Sequence, residues 1–171
     1  MTGLPTLHAD RLTLRAPRPE DWEAYAAFAT SERSKGVGGP FPLWQAWRQF
    51  ATLWGHEALR GFGRFVVTRR GEDRAIGLVG PYHPFDWPEP EIAWSLFEGE
   101  GEGLACEAAT AARAYAYGTL GWTTAISVVF PDNHRSVALA RRMGCTPDGS
   151  FVHPQWGEMP IWRHPAPEAL R

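Results

Sequence analysis

Long apolar runs are missing from this chain. No stretch approaches the roughly 20 apolar residues that a bilayer-spanning helix requires, and the N-terminus MTGLPTLHADRL has neither the basic start nor the apolar core of an export signal. Cysteine is scarce as well. Cys106 and Cys145 stand far apart, form no Cys-x-x-Cys and have no His pair beside them, so neither a zinc site nor a redox motif is indicated, no metal is expected and a reducing cytoplasm is the expected setting. An excess of positive charge is lacking too. Seventeen Lys and Arg against nineteen Asp and Glu give a net charge of -2, which removes the case for a general nucleic-acid binder and leaves small molecules or local protein patches as partners. Repeats, low-complexity tracts and linkers are absent, and 171 residues suffice to bury a core without disulfides. One domain spanning residues 1–171 is expected.

Against these absences stand regular patterns. Arg11 to Ala16 alternate Leu12 and Leu14 with polar neighbours, as a half-buried strand does. Pro19, Glu20 and Asp21 suit the start of a helix whose apolar face is Trp22, Tyr25, Phe28 and Ala29. Residues 35–42, KGVGGPFP, favour turns and read as a mobile loop. Leu43, Trp47, Phe50 and Trp54 recur at helical spacing and predict a second helix with an aromatic stripe. Strands are expected over 63–68, 75–80 and 91–97 as an antiparallel meander, then a helix over 104–118, a strand over 125–130, a short helix around 137–143 and two strands near 151–153 and 161–164. This order is α+β with one crossover near the C-terminal half, where chemistry is expected.

The crossover opens with EGEGEGLACEA, residues 98–108, which sets Gly99, Gly101 and Gly103 between a strand and a helix. Backbone N–H groups unobstructed by side chains converge there on an anion, and the helix N-terminus adds partial positive charge; a pyrophosphate is the natural ligand. A plain flexible turn explains the same glycines equally well.

Residues 94–108 followed by 131–145 resemble the central motif of the GNAT superfamily of N-acetyltransferases. The loop matches at Gly103 and Ala105, and PDNHRSVALARRMGC places Asn133, Ser136 and Met143-Gly144-Cys145 where that family lines the pantetheine arm of its co-substrate. Asn-x-x-Ser, the run from Gly101 to Ala108, the opening RLTLRAPRPEDWEAY and the strand EIAWSL resemble the ribosomal-protein N-terminal acetyltransferase branch. The resemblance implies a mixed, mostly antiparallel sheet of six to seven strands, splayed at its centre and flanked by about four helices. It implies acetyl-CoA as co-substrate, held by Leu96, Phe97, Gly101, Glu102, Gly103, Leu104, Ala105, Asn133 and Ser136. The reaction would be direct transfer of the acetyl group to a primary amine of a small molecule or of a protein N-terminus, and the family leaves room for a homodimer.

Two departures qualify this. Glu98, Glu100 and Glu102 crowd a site meant for phosphates; a like-charge pair about 7 Å apart in water repels by only about 0.6 kcal/mol, so the expectation is weakened CoA binding with Arg135 compensating in part. Ala140 stands where many relatives carry the tyrosine that protonates the thiolate, which leaves Ser136 by position, although a small residue at a helix start needs no such role. For the general base, Glu91 at the start of its strand and Glu158 in GEMPIW are the candidates, a solvated strand-end charge being the other reading of Glu91. Tyr82 and His83 should border the acceptor, and Cys106 reads as small-residue packing rather than a nucleophile.

Other phosphate-binding readings fail on spacing. A dinucleotide fingerprint requires glycine where Leu104 stands, no Gly-Lys-Ser/Thr follows the loop, and no Gly-x-Ser-x-Gly elbow occurs. The remaining rival is a GNAT-fold binding or regulatory module that has lost catalysis.

Overall fold

The computed structural model describes residues 3–170. In chain order the elements are β1 (Leu7–His8), β2 (Leu12–Arg15), α1 (Trp22–Ala29), α2 (Leu43–Arg60), β3 (Phe65–Arg69), β4 (Ala75–Tyr82), β5 (Glu91–Leu96), α3 (Leu104–Gly118), β6 (Ile126–Val128), α4 (His134–Arg142), β7 (Thr146–His153) and β8 (Gly157–Arg163), with short 3-10 turns at Pro19–Asp21, Glu32–Val37 and Pro167–Leu170. The strands form one sheet in the order β1-β2-β3-β4-β5-β6-β8-β7. Every neighbouring pair is antiparallel except β5 with β6.

Alternation along the strands divides the core. On β3, Phe65 and Val67 join Leu12, Leu14, Ile76 and Ile92 beneath α3, whose Ala108, Ala112 and Ala116 let the helix lie close to the sheet. Val66, Leu78 and Phe97 face the other way, against Tyr25, Phe28, Phe50 and Leu53 of α1 and α2. The turn into α1 is fixed by a buried ion pair: Arg15 donates two hydrogen bonds to Asp21, at 2.7 and 2.9 Å, and Asp21 also accepts the Arg18 amide at 2.8 Å.

Several expectations are corrected. The sheet has eight strands rather than six or seven, because the two-residue β1 is too short to leave an alternation. The strand expected over 125–130 ends at Val128, and Val129 turns its amide to the carbonyl of Pro160. β7 and β8 are longer than expected, since β7 is almost wholly exposed and carries no apolar pattern. Residues 35–42 are not a loose loop: the Ser31 hydroxyl caps the turn Glu32–Val37, and buried Ser34 reaches the carbonyls of Ala29 and Ser31 at 2.9 and 2.8 Å. On α2 the buried stripe is Ala46, Phe50 and Leu53, while Leu43 and Trp47 are 60% and 54% exposed.

One feature of the sheet positions everything that follows. The parallel pair β5–β6 is registered through a single residue pair, Glu91 with Ile126, and past it the strands part. The seam is sewn by side chains instead. Ser127 donates to the Ile92 carbonyl at 2.6 Å and accepts from His164 Nε2 at 2.9 Å, while His164 Nδ1 accepts from Arg113 at 3.2 Å. Burial, with Arg113 and Arg163 nearby, holds the His164 pKa down at about 3, so the imidazole is neutral and its Nε2 carries the proton. Ser127→Ala leaves a buried carbonyl and a buried ring N–H without partners. The expected cost is about 1–3 kcal/mol, read as a lower urea midpoint at unchanged m-value; an unchanged midpoint would show that the seam does not depend on this hydroxyl.

Candidate functional site

The parting of β5 and β6 opens two connected spaces. The larger, about 800 Å³, is a groove between the loop at 99–103, α3, α4 and β5. Gly101 and Gly103 have φ of 86° and 79°, a region in which a side chain is strained, and a Cβ on Gly101 would meet nothing within 4 Å. α3 has no side-chain cap. The Glu102 amide turns back to the Gly99 carbonyl at 3.4 Å and the next to do so is that of Glu107, on the Gly103 carbonyl at 3.2 Å, so among the described residues the N–H groups between them are open to an anion at a helix N-terminus.

The glutamates of this loop are neutralised. Glu98 pairs with Arg74 at 2.7 Å, Glu102 takes both its bonds from Arg69 at 3.0 and 3.1 Å, and Glu100 pairs with Arg33 and, at 3.9 Å, with Arg135. Only Glu100 among them borders the groove. Arg33, Arg135 and Arg142 outnumber Glu32 and Glu100 along its wall, which turns the expected repulsion into a balance favouring an anion.

The smaller space, about 250 Å³, lies on the α1–α2 side of the splay. Period-two placement brings Glu91, Ala93 and Ser95 of β5 and Leu78 and Tyr82 of β4 to it, joined by Tyr25, Phe41, Phe130, Trp87 and Trp156. Gly36, Trp94, Ser95, Asn133 and Ser136 border both spaces and so mark their junction. There, Asn133 Oδ1 caps α4 by accepting the Ser136 amide at 3.1 Å, and its Nδ2 donates to the Gly36 carbonyl at 3.2 Å. The Trp94 indole donates to Ser136 Oγ at 3.1 Å, which leaves the Ser136 hydroxyl proton free to point elsewhere.

Glu91 is 5% exposed. Its Oε2 accepts the Val128 amide at 2.9 Å, occupying the place a neighbouring strand would take. Desolvation pushes its carboxyl up to about 7, against the lowering pull of the Val128 N–H, Arg64 and the Trp87 indole. The Trp87 N–H is itself buried and outside hydrogen-bond geometry with any described residue.

The sequence-predicted residues divide on this geometry. Leu96, Gly101, Gly103, Leu104, Ala105, Asn133 and Ser136 line the groove. Phe97 does not: its amide donates to the Ile76 carbonyl at 2.8 Å and its ring stacks on Phe28. Glu102 points outward to Arg69. Glu158 is exposed near the start of β8, accepts from Ser150 at 2.8 Å and borders neither space. Glu91 and Tyr82 line the cavity, whereas the His83 amide is tied to His56 at 2.9 Å. Cys106 borders the groove, and Ala140 is buried in the core. Sequence reasoning missed Gly36, Arg64 and the partnership of Trp94 with Ser136, which carry no local signature; the aromatic residues Trp87 and Trp156 stood in view but belong to loops that only the fold brings together.

Comparison with known proteins agrees with this geometry. Residues 11–146 match the family model described as an acetyltransferase (GNAT) domain. The chain is 31% identical over 154 residues to the uncharacterized N-acetyltransferase YoaA of Bacillus subtilis (strain 168), covering 85% of each. It superposes on an acetyltransferase from Agrobacterium tumefaciens str. C58 with a TM-score of 0.88 at 37% identity, covering 96% of both chains. RimL, the ribosomal L7/L12 alpha-N-protein acetyltransferase, solved in complex with coenzyme A, shares the fold with a TM-score of 0.74 at 14% identity, over 94% of this chain and 97% of that one. The loop, the parted strands and these matches converge: the chain belongs to the GNAT acetyltransferase family.

Proposed function

We propose that this protein transfers the acetyl group of acetyl-CoA to a primary amine by direct attack on the thioester. The observation that carries the reading is the junction of the two spaces at Ser136, Asn133 and Trp94: a long groove with an anion-binding end meets a small aromatic cavity there. The residues present fit coenzyme A. The uncapped start of α3 with Gly101 and Gly103 suits the pyrophosphate, Leu96 and Asn133 lie along the pantetheine path, and the arginine pairing of the loop glutamates favours a working phosphate site over a disabled one. RimL, which shares the fold, was solved in complex with coenzyme A, and this supports the reading.

Acetyl-CoA supplies the activated carbonyl. Glu91 accepts the proton of the acceptor ammonium; because Trp94 lies three residues farther along β5, about 10 Å at about 3.3 Å per residue, that proton travels over water. The amine nitrogen forms its bond to the carbonyl carbon as the carbon–sulfur bond breaks. Ser136, its oxygen held by Trp94, hands its proton to the departing thiolate and regains one from solvent. Alignment of the two reactants across one junction supplies much of the rate.

Three measurements test this. Calorimetric titration with CoA is expected to show binding to the wild type and at least about a tenfold loss in Gly101→Glu, whose side chain both strains the loop and occupies the phosphate path; absence of binding to the wild type overturns the reading. With an amine accepted as substrate, kcat/KM should rise as pH passes about 7, the value at which Glu91 loses its proton and becomes the base, and Glu91→Gln should abolish that limb. Ser136→Ala should lower kcat by about a hundredfold or more while changing the CoA dissociation constant far less, and Trp94→Phe should give a smaller decrease of the same kind; an unaltered kcat in both removes Ser136 from the chemistry.

A further inference from the structure

Among the described residues, Arg64 is the one arginine bordering the cavity. It precedes β3, one residue beyond the Phe65–Val79 pair, and alternation aims it with Val66 at the α1–α2 face. Its guanidinium lies 4.4 Å above the Tyr82 ring, Nε is buried without a hydrogen bond, and it forms no ion pair among the described residues. Around the glycine loop, by contrast, Arg33, Arg69, Arg74 and Arg135 each hold a glutamate, and Arg142 of the groove wall is exposed where Arg64 is half-buried.

The two acids that line the cavity with Arg64 are occupied. Asp86 accepts from His153 Nε2 at 2.7 Å, and Glu91 holds the Val128 amide while burial favours its protonated form up to about pH 7. The ring of Tyr82 offsets part of the guanidinium charge but satisfies none of its five N–H donors. A half-buried cation without a hydrogen-bonded anion is costly to keep. A planar guanidinium matches a carboxylate through two parallel bonds. The walls around it are the rings of Tyr25, Phe41, Trp87 and Trp156, and the volume of about 250 Å³ is at or below the small end of the roughly 300–1,000 Å³ typical of ligand pockets.

We propose that the acceptor is an amine bearing a carboxylate on the same small molecule, an amino acid with an apolar or aromatic side chain, and that Arg64 binds the carboxylate while the amine faces the junction at Ser136. The proposal rests on the acetyl-transfer reading of this site and narrows it. A protein N-terminus presents its amine without a neighbouring carboxylate and leaves Arg64 unsatisfied.

The test pairs each acid with its neutral isostere. Leucine, phenylalanine and tryptophan are titrated by calorimetry into the CoA-bound protein, each beside its own amide, and the same six compounds are assayed for acetylation with acetyl-CoA. At least one acid should bind about tenfold or more tighter than its amide. Arg64→Gln should erase that preference and Arg64→Lys should keep part of it, with CoA binding and melting temperature reporting that both variants are folded. Equal binding of acid and amide, a preference that survives Arg64→Gln, binding of none of the six, or faster acetylation of a peptide amide than of its free N-terminal amino acid overturns the proposal. If CoA fails to bind yet the acid preference persists and depends on Arg64, the acetyl-transfer reading falls and the carboxylate site stands.

Discussion

Two neighbouring strands can separate inside a folded sheet only if the backbone groups they withdraw from each other find other partners, because a buried unpaired N–H or C=O costs about 1–3 kcal/mol. Here the partners are a carboxylate and a hydroxyl: Glu91 receives the Val128 amide, and Ser127 supplies the Ile92 carbonyl. Both spaces of the site exist because of this substitution. The substitution in turn explains why a carboxylate is tolerated so deep in the protein. Glu91 is placed there by the strand register, is anchored by one amide, and is desolvated by the aromatic residues around it, so a structural requirement and a tuned acid–base group reside in one side chain.

Charge is distributed differently on the two sides of the junction. Around the glycine loop, carboxylates and guanidiniums are matched pair by pair, with a small cationic surplus from Arg135 and Arg142 along the groove wall. These pairs are exposed or half-exposed, so each contributes little to stability; their effect is to keep three glutamates from opposing a phosphate. In the cavity the charges are fewer: Glu91 is deeply placed, Asp86 pairs with His153, Arg64 has no ion pair among the described residues, and the surroundings are aromatic. The two ends of one continuous opening therefore present quite different surfaces.

Much of this was legible in the sequence, and what was missed has physical causes. The bounds of α3, Leu104–Gly118, are legible because its alanine face recurs at helical spacing and glycines precede it. Asn133 and Ser136 stand at the start of α4 because an N-cap depends on fixed local spacing. Phe97 and Glu158 were named on position along the chain, but orientation is decided by partners far away, Ile76 and Phe28 for the first and Ser150 for the second. Trp47 fits the helical stripe as well as Phe50 does, yet α2 has more apolar residues than its contact face can cover. Arg64 was invisible for a different reason: its significance is an unfilled set of donors, and no spacing rule reports what a residue lacks.

Asn133 uses both ends of its amide, one to cap α4 and one to hold the turn that carries Gly36, and the contact is so close that a Cβ on Gly36 would fall 2.5 Å from Nδ2. The wall between groove and cavity is therefore a single clip joining two elements that are 97 residues apart in sequence. Its consequence is mechanical. Gly36 and Asn133 border both spaces, so a displacement of α4 at its first turn is passed directly to the turn Glu32–Val37, and the groove and the cavity cannot change width independently of each other at this point.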